Sequence, residues 1–284
     1  MAVRKGSTLR AQWLGKQLRE LRESAKLTLK DAGDYIQRDP SSLSRMEQGI
    51  TPMRVPDVLT LLNLYGVSDA RLRDGLERLS RDIWQKNWWD GYSDVFTGRI
   101  IDHAWLESRA QRLRSYDAMV VPGLLQTRRY AEAVIGAADP HKPKERIARW
   151  AEFRLHRQRV LSGDCPLRLS VILDEAVFYR AVGGPEVLRD QLGHLVDLAQ
   201  CSTISIRVLP FRAGVGASPE GPFTIFDMPD PYPDVAYIET RAGALYVEGD
   251  EAAGFAHAYA SLDETALAPD ESVAFIRNAA EQTI

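Results

Sequence analysis

Cysteine is scarce. Cys165 and Cys201 are the only two in 284 residues, and no Cys-x-x-Cys spacing joins them; this argues against a disulfide scaffold and for two free or buried thiols. The five histidines (His103, His141, His156, His194 and His257) show neither His-Glu-x-x-His nor a short Cys/His spacing, so no metal and no other cofactor is expected. There is no Gly-x-Ser-x-Gly. Gly214-Val215-Gly216 lacks the third glycine and following helix of a dinucleotide site and reads as a loop. No apolar stretch approaches the roughly 18 residues of a membrane span. The basic N-terminus has no apolar signal-peptide core, so a cytoplasmic location is expected. Hydrophobic residues make up 45% and charged residues 26%, too apolar for a disordered chain, and the length suits about two domains.

The net charge of −3 hides an asymmetry. Residues 1–54 hold eleven Lys/Arg, Arg4 and Lys5 among them, against six acids, a net +5. The remainder carries −8, the pattern of a basic module with a polyanion partner attached to an acidic body. Within the basic part Leu14, Leu18, Leu21 and Ala25 recur at helical spacing. Thr28 and Asp31 form a capping box for a second helix, in which Ala32 and Gly33 suggest close approach by another helix. Asp39-Pro40 opens a third, with Leu43 and Met46 on one side, Ser41, Ser44, Arg45 and Gln48 on the other, and Gly49 ending it. Val58, Leu61, Leu62 and Tyr65 mark a fourth helix, and Leu72, Leu76, Leu79 and Ile83 a fifth.

Two short helices joined by a tight turn, the second bearing a small-residue polar stripe, suit insertion into a DNA major groove. Leu18-Arg19-Glu20-Leu21-Arg22, Leu27-Thr28 and Leu43-Ser44-Arg45-Met46-Glu47-Gln48-Gly49 resemble the XRE-type helix-turn-helix regulators over residues 11–67. The resemblance places Pro40, Ser41, Ser44 and Arg45 at the groove. Arg45 is the candidate for base readout, since guanidinium donates twice to guanine. Thr28, Lys30, Arg38, Ser42, Gln48 and Arg54 complete the expected DNA-contacting set, with Lys30, Arg38 and Arg54 as backbone-positioning cations. It also implies an ion pair between Arg22 and Glu47 that orients the reader more than it stabilises it. Leu29 and Arg38 depart from the family pattern, and Gln37 stands where a turn glycine is usual, tolerable at negative φ.

Residues 84–102 read as an aromatic-rich linker between a five-helix domain (1–83) and an α+β domain (103–284). Trp84, Trp88, Trp89, Tyr92, Phe96 and Trp105 could stack single-stranded bases, but mixed flanking charge favours packing. A helix is expected over 102–116, another around Tyr130, and an Arg-rich one over 144–161. Strands follow at 167–173 and 204–209, flanking a helix at 185–199 as a βαβ unit with a mixed sheet. Further strands fall at 223–226, 235–239 and 244–247, and helices at 251–262 and 270–280.

Pro122-Gly123-Leu124-Leu125-Gln126-Thr127 with Tyr130-Ala131, Arg157-Gln158, Asp174-Glu175-Ala176, Val182-Gly183-Gly184, Gln191-Leu192, Val208-Leu209-Pro210, Pro222-Phe223 and Tyr237-Ile238-Glu239 are similar to the C-terminal domain of WhiJ-like, toxin–antitoxin-like regulators of actinobacteria. That resemblance implies a transcription regulator, often paired with a small protein encoded nearby. A homodimer on a pseudo-palindromic double-stranded DNA operator is expected, since one half-site binds weakly. The alternative is an antitoxin-like protein neutralising its partner, with DNA binding for autoregulation. No catalytic residue is assigned and no enzyme is expected. Glu175 and Glu239, near strand ends with Asp174, and the Trp88/Trp89 region are the ligand or partner candidates. Loop capping, or pairing with Arg180 or Arg207, is the plainer role for these carboxylates.

Overall fold

The computed structural model describes residues 8–85, 87–92, 98–214, 218–230, 232–240 and 243–283; Arg4, Lys5, Phe96, Val215 and Gly216 lie outside them. The chain divides into two compact units, the first running to Trp105 and taking in Asp230 and Tyr232.

The first unit contains α1 (Leu9–Ser24), α2 (Leu29–Tyr35), α3 (Pro40–Glu47), α4 (Val55–Leu64) and α5 (Ala70–Trp84). Leu14, Leu18, Leu43, Val58, Leu61, Leu62, Leu76 and Leu79 are buried, one apolar stripe per helix, as the 3.6-residue period requires. The Thr28–Asp31 capping box forms: Asp31 N donates to Thr28 Oγ1 at 3.2 Å, and Thr28 N to Asp31 Oδ2 at 2.9 Å. The described residues of segment 84–102 belong to this unit. After a 3-10 turn at Trp88–Tyr92, α6 (Gly98–Arg109) begins, and the unit boundary falls within it. Of the described aromatics here Trp84 is half exposed, while Tyr92 is buried. Trp89 and Trp105 are buried, and the Trp105 ring lies 5.6 Å from that of Trp13 and 5.8 Å from that of Tyr232. Asp102 accepts from the first helical amide of α1 (Leu9 N, 2.9 Å), and burial pushes its carboxyl up to about 6.

The second unit is a mixed sheet of order β3-β2-β1-β4-β5-β6 among the described residues. Its strands are β1 (Arg112–Asp117), β2 (Arg168–Asp174), β3 (Ile204–Leu209), β4 (Phe223–Asp227), β5 (Val235–Thr240) and β6 (Gly243–Glu248). The first three are mutually parallel and the remaining pairs antiparallel. The expected βαβ unit is β2, α9 (Pro185–Leu198) and β3. The expected helix over 102–116 forms only in its first half: α6 stops at Arg109, and residues 112–117 are instead β1, at the centre of the sheet. Arg112, Arg114 and Asp117 make this strand too polar to read as a central one. Leu113 nevertheless pairs with Leu169 on one side and Phe226 on the other.

Side chains alternate across the sheet with the two-residue period of a strand. Tyr116, Ile172, Phe223 and Ile225 share a core with Tyr259 and Leu262 of α10 (Asp250–Thr265). Elsewhere α7 (Arg128–Ala138) packs on α8 (Lys144–Arg157) through Ala131, Ile135 and Ala151, while α9 packs on α11 (Pro269–Gln282). Residues 158–161, read as the end of α8, turn as a 3-10 helix instead. No helix among the described residues is long and apolar enough to cross a membrane.

Candidate nucleic-acid interface

α3 begins where its sequence says it should. Asp39 caps it, accepting from Ser42 N at 2.9 Å, and Pro40 occupies the first turn, where a missing N–H costs nothing. Leu43 and Met46 turn inward. Pro40, Ser41, Arg45 and Gln48 are exposed, and Ser42 and Ser44 are half-buried. The outward side chains bond locally: Ser41 Oγ donates to Asp39 Oδ1 (2.5 Å), Ser42 Oγ to Asp39 Oδ2 (2.6 Å), Arg45 Nη2 to Ser42 Oγ (3.2 Å) and Gln48 Nε2 to Ser44 Oγ (3.1 Å). The serine hydroxyls hold the Asp39 carboxyl well below its usual range.

The surrounding cations are exposed as well. Thr28 and Lys30 lie at the start of α2. Arg38 is 3.6 Å from Asp57, and the Arg54 guanidinium sits 5.5 Å over the Trp84 ring, whose Nε1 donates to Met53 O. Beneath α3, buried Arg22 donates through Nε and Nη2 to both oxygens of buried Glu47 (2.7 and 3.0 Å), and through Nη1 to Leu27 O (2.8 Å). The bonds to Glu47 outweigh desolvation and raise the Arg22 pKa.

Two glycines set the distance between α1 and α3. A Cβ on Gly15 would meet Met46 O at 2.7 Å, and one on Gly49, at φ +69°, would meet Gln12 N at 2.6 Å. Sequence reading passed over Gly15; its signal is a glycine on the inner face of an otherwise good helix former. Gly33, read as a helix–helix contact, instead faces its own turn, Arg38 O lying 2.7 Å from a built Cβ. Gln37 departs from expectation too. Its φ is +57°, because it closes α2 in a left-handed turn with Arg38 N donating to Gly33 O at 2.8 Å.

In the second unit the loops leaving β1, β2 and β3 share one end of the sheet with the start of β4. The loop 122–127 is held there by side-chain amides, one its own and two from distant residues. Gln126 Nε2 donates to Val121 O (2.6 Å), Gln158 Nε2 to Gln126 O (2.7 Å) and Gln191 Nε2 to Leu125 O (2.7 Å), while Gln191 Oε1 accepts from Thr127 N (2.7 Å). Arg154 Nη1 donates to Gln126 Oε1 (2.7 Å), and burial lowers its pKa to about 10. Asp117, ending β1, is pushed up to about 7 by burial, against a bond from Ser115 Oγ.

Residues 13–75 match the family described as a helix-turn-helix domain, and residues 100–278, more than half of the chain, match the family described as a domain of unknown function (DUF5753). The chain belongs to the DUF5753 family. No curated protein and no solved structure matches it. The helical unit is thus a helix-turn-helix module of a DNA-binding regulator, with α2 and α3 as its paired helices.

The DUF5753 part does not gather the carboxylates singled out in the sequence. Glu175 caps a loop, its Oε2 accepting from Phe211 N at 2.7 Å, and Asp174 accepts from Ala176 N at 2.8 Å. Glu239 is exposed at the end of β5. β2 and β5 stand three strand spacings apart, roughly 14 Å at the usual separation. Arg207 pairs with Asp263 rather than with any of the three. Gly183 and Gly184 take φ of +74° and +95° in the turn that leads into α9. Trp88 is half-buried against buried Trp89, their rings 5.4 Å apart. Both cysteines are exposed free thiols, and no cluster of metal-ligating side chains occurs among the described residues. What the sequence did not single out is an apolar edge: Met119, Tyr179 and Phe211, each more than half exposed, lie in the loops after β1, β2 and β3, the last two stacked at 6.4 Å.

Proposed function

We propose that this protein is a sequence-specific transcription regulator of the XRE kind, reading double-stranded DNA with α3. One observation carries the proposal: Pro40, Ser41, Arg45 and Gln48 are exposed on one face of α3, with half-buried Ser44 on the same side, while the buried Arg22–Glu47 pair fixes the helix from behind. A surface of hydrogen-bonding groups on a rigid helix, ringed by Lys30, Arg38 and Arg54, suits a groove lined with base edges and phosphates. Arg45 reads a guanine, and a homodimer places two copies of α3 on a pseudo-palindrome, with half-sites about 34 Å apart or a multiple of that. The DUF5753 unit holds a small protein partner or ligand, a reading supported by the exposed Met119, Tyr179 and Phe211 at the carboxyl end of its parallel strands, where α/β sheets keep their sites.

A gel-shift titration on a duplex selected from a random pool tests the first reading. Arg45→Ala is expected to weaken binding by about 1–3 kcal/mol and to relax preference at one base pair. Full affinity and unchanged preference would overturn it.

A further inference from the structure

A serine hydroxyl has a single proton to donate. On Ser42 that proton points to Asp39 Oδ2 at 2.6 Å, which leaves the Ser42 oxygen as an acceptor for Arg45 Nη2 at 3.2 Å. Asp39 is fixed in turn, its other oxygen accepting from Ser42 N (2.9 Å) and Ser41 Oγ (2.5 Å). The chain therefore runs one way, from Arg45 through Ser42 to the capping carboxylate of α3. An exposed arginine otherwise samples many rotamers, and ordering it on binding carries an entropic cost that prior anchoring reduces. The bond to Ser42 uses one of five guanidinium donors. The remaining Nη2 hydrogen and those of Nη1 stay free to form the two-pronged contact with guanine O6 and N7.

We propose that Ser42, backed by Asp39, is a positioning residue that holds the Arg45 fork in its reading geometry and so sets the strength of the guanine preference. This rests on the DNA-reading role proposed for α3. The Ser41 hydroxyl oxygen is left to act only as an acceptor, because its proton is also donated to Asp39. It is thereby suited to an amino edge of cytosine or adenine rather than to a phosphate.

Selection from a randomised duplex pool, using the full chain and its Ser42→Ala, Ser42→Thr and Arg45→Ala variants, provides the test. The parent protein is expected to select a half-site containing a guanine that Arg45→Ala no longer requires. Ser42→Ala keeps the helix cap, since Asp39 bonds the backbone amide, and should lower the preference for that guanine about three- to tenfold at one position. Ser42→Thr retains the hydroxyl and should restore it. The dependence of affinity on salt should be the same for parent and Ser42→Ala, because phosphate contacts are untouched. If Arg45→Ala loses the guanine while Ser42→Ala keeps it in full, the positioning role fails and the DNA reading stands. Uniform weakening of Ser42→Ala at every position, with an altered salt dependence, likewise refutes it. A parent protein that selects no motif sinks the DNA reading and this inference together.

Discussion

On the outer side of α3, Ser41, Ser42, Arg45 and Gln48 bond to partners two to four residues away, and all but half-buried Ser42 are exposed. Around the 122–127 loop Arg154, Gln158 and Gln191 bond across 28 to 66 residues, and Gln126 and Gln191 are buried. The two arrangements have different consequences. A locally satisfied, hydrated group can exchange its partner for a base edge at little cost, because water already competes for it. A glutamine that satisfies the backbone of a remote loop is committed to the fold, since removing it leaves buried carbonyls and amides unpaired. Exposure with short-range bonding therefore marks side chains free to act on a partner, and burial with long-range bonding marks those that hold the shape.

Glu47 sits on the same helix as the exposed stripe but belongs to the second kind, reaching 25 residues back to Arg22. Glu47→Ala would strand a buried guanidinium, and breaking such a pair costs about 3–5 kcal/mol. Hydrogen exchange on the full chain should show amides of α1 and α3 losing protection by roughly a hundred- to a few-thousandfold, together with loss of DNA affinity. Unchanged protection and unchanged affinity would remove the orienting role and break the division drawn above.

Gln191→Leu makes the opposite cut. It fills much the same space but abandons Leu125 O and Thr127 N, and is expected to destabilise the DUF5753 unit by about 2–6 kcal/mol, one desolvation penalty for each abandoned group. DNA affinity should stay at the parent value. The measurements are urea unfolding followed by far-UV circular dichroism and the gel-shift titration. A variant as stable as the parent would mean that long-range polar bonds here are dispensable.

The same distinction explains what could be read from the residues alone. The capping box at Thr28, the Asp39-Pro40 start of α3 and its two-sided pattern are local chemistry, complete within four or five residues, and each forms as expected. β1 was missed because its identity as a central strand depends on Leu169 and Phe226, more than fifty residues away, and its own Arg112, Arg114 and Asp117 look like a helix surface. The Gln126–Arg154–Gln158–Gln191 contacts were invisible for the same reason: no sequence spacing announces which glutamine meets which loop. Glu175 and Glu239, similar in sequence as acids near strand ends, are separated by the strand order, which only the folded sheet reveals.

Gln37 offers the mildest test of the same division. It lies between the two helices of the reader, is exposed, and holds φ at +57°. A side chain in this region costs about 1–2 kcal/mol relative to glycine, offset in part by the greater chain entropy that glycine loses on folding. Gln37→Gly should therefore stabilise the helix-turn-helix unit by about 0.5–1 kcal/mol, read as slower exchange of the α2 and α3 amides. Because no hydrogen bond of the exposed stripe passes through Gln37, the selected DNA motif and the affinity for it should not move. A shift in base preference would show that the turn's strain sets the pose of α3, and the separation between shape-holding and partner-reading groups would then have to be drawn inside the turn rather than at the helix surface.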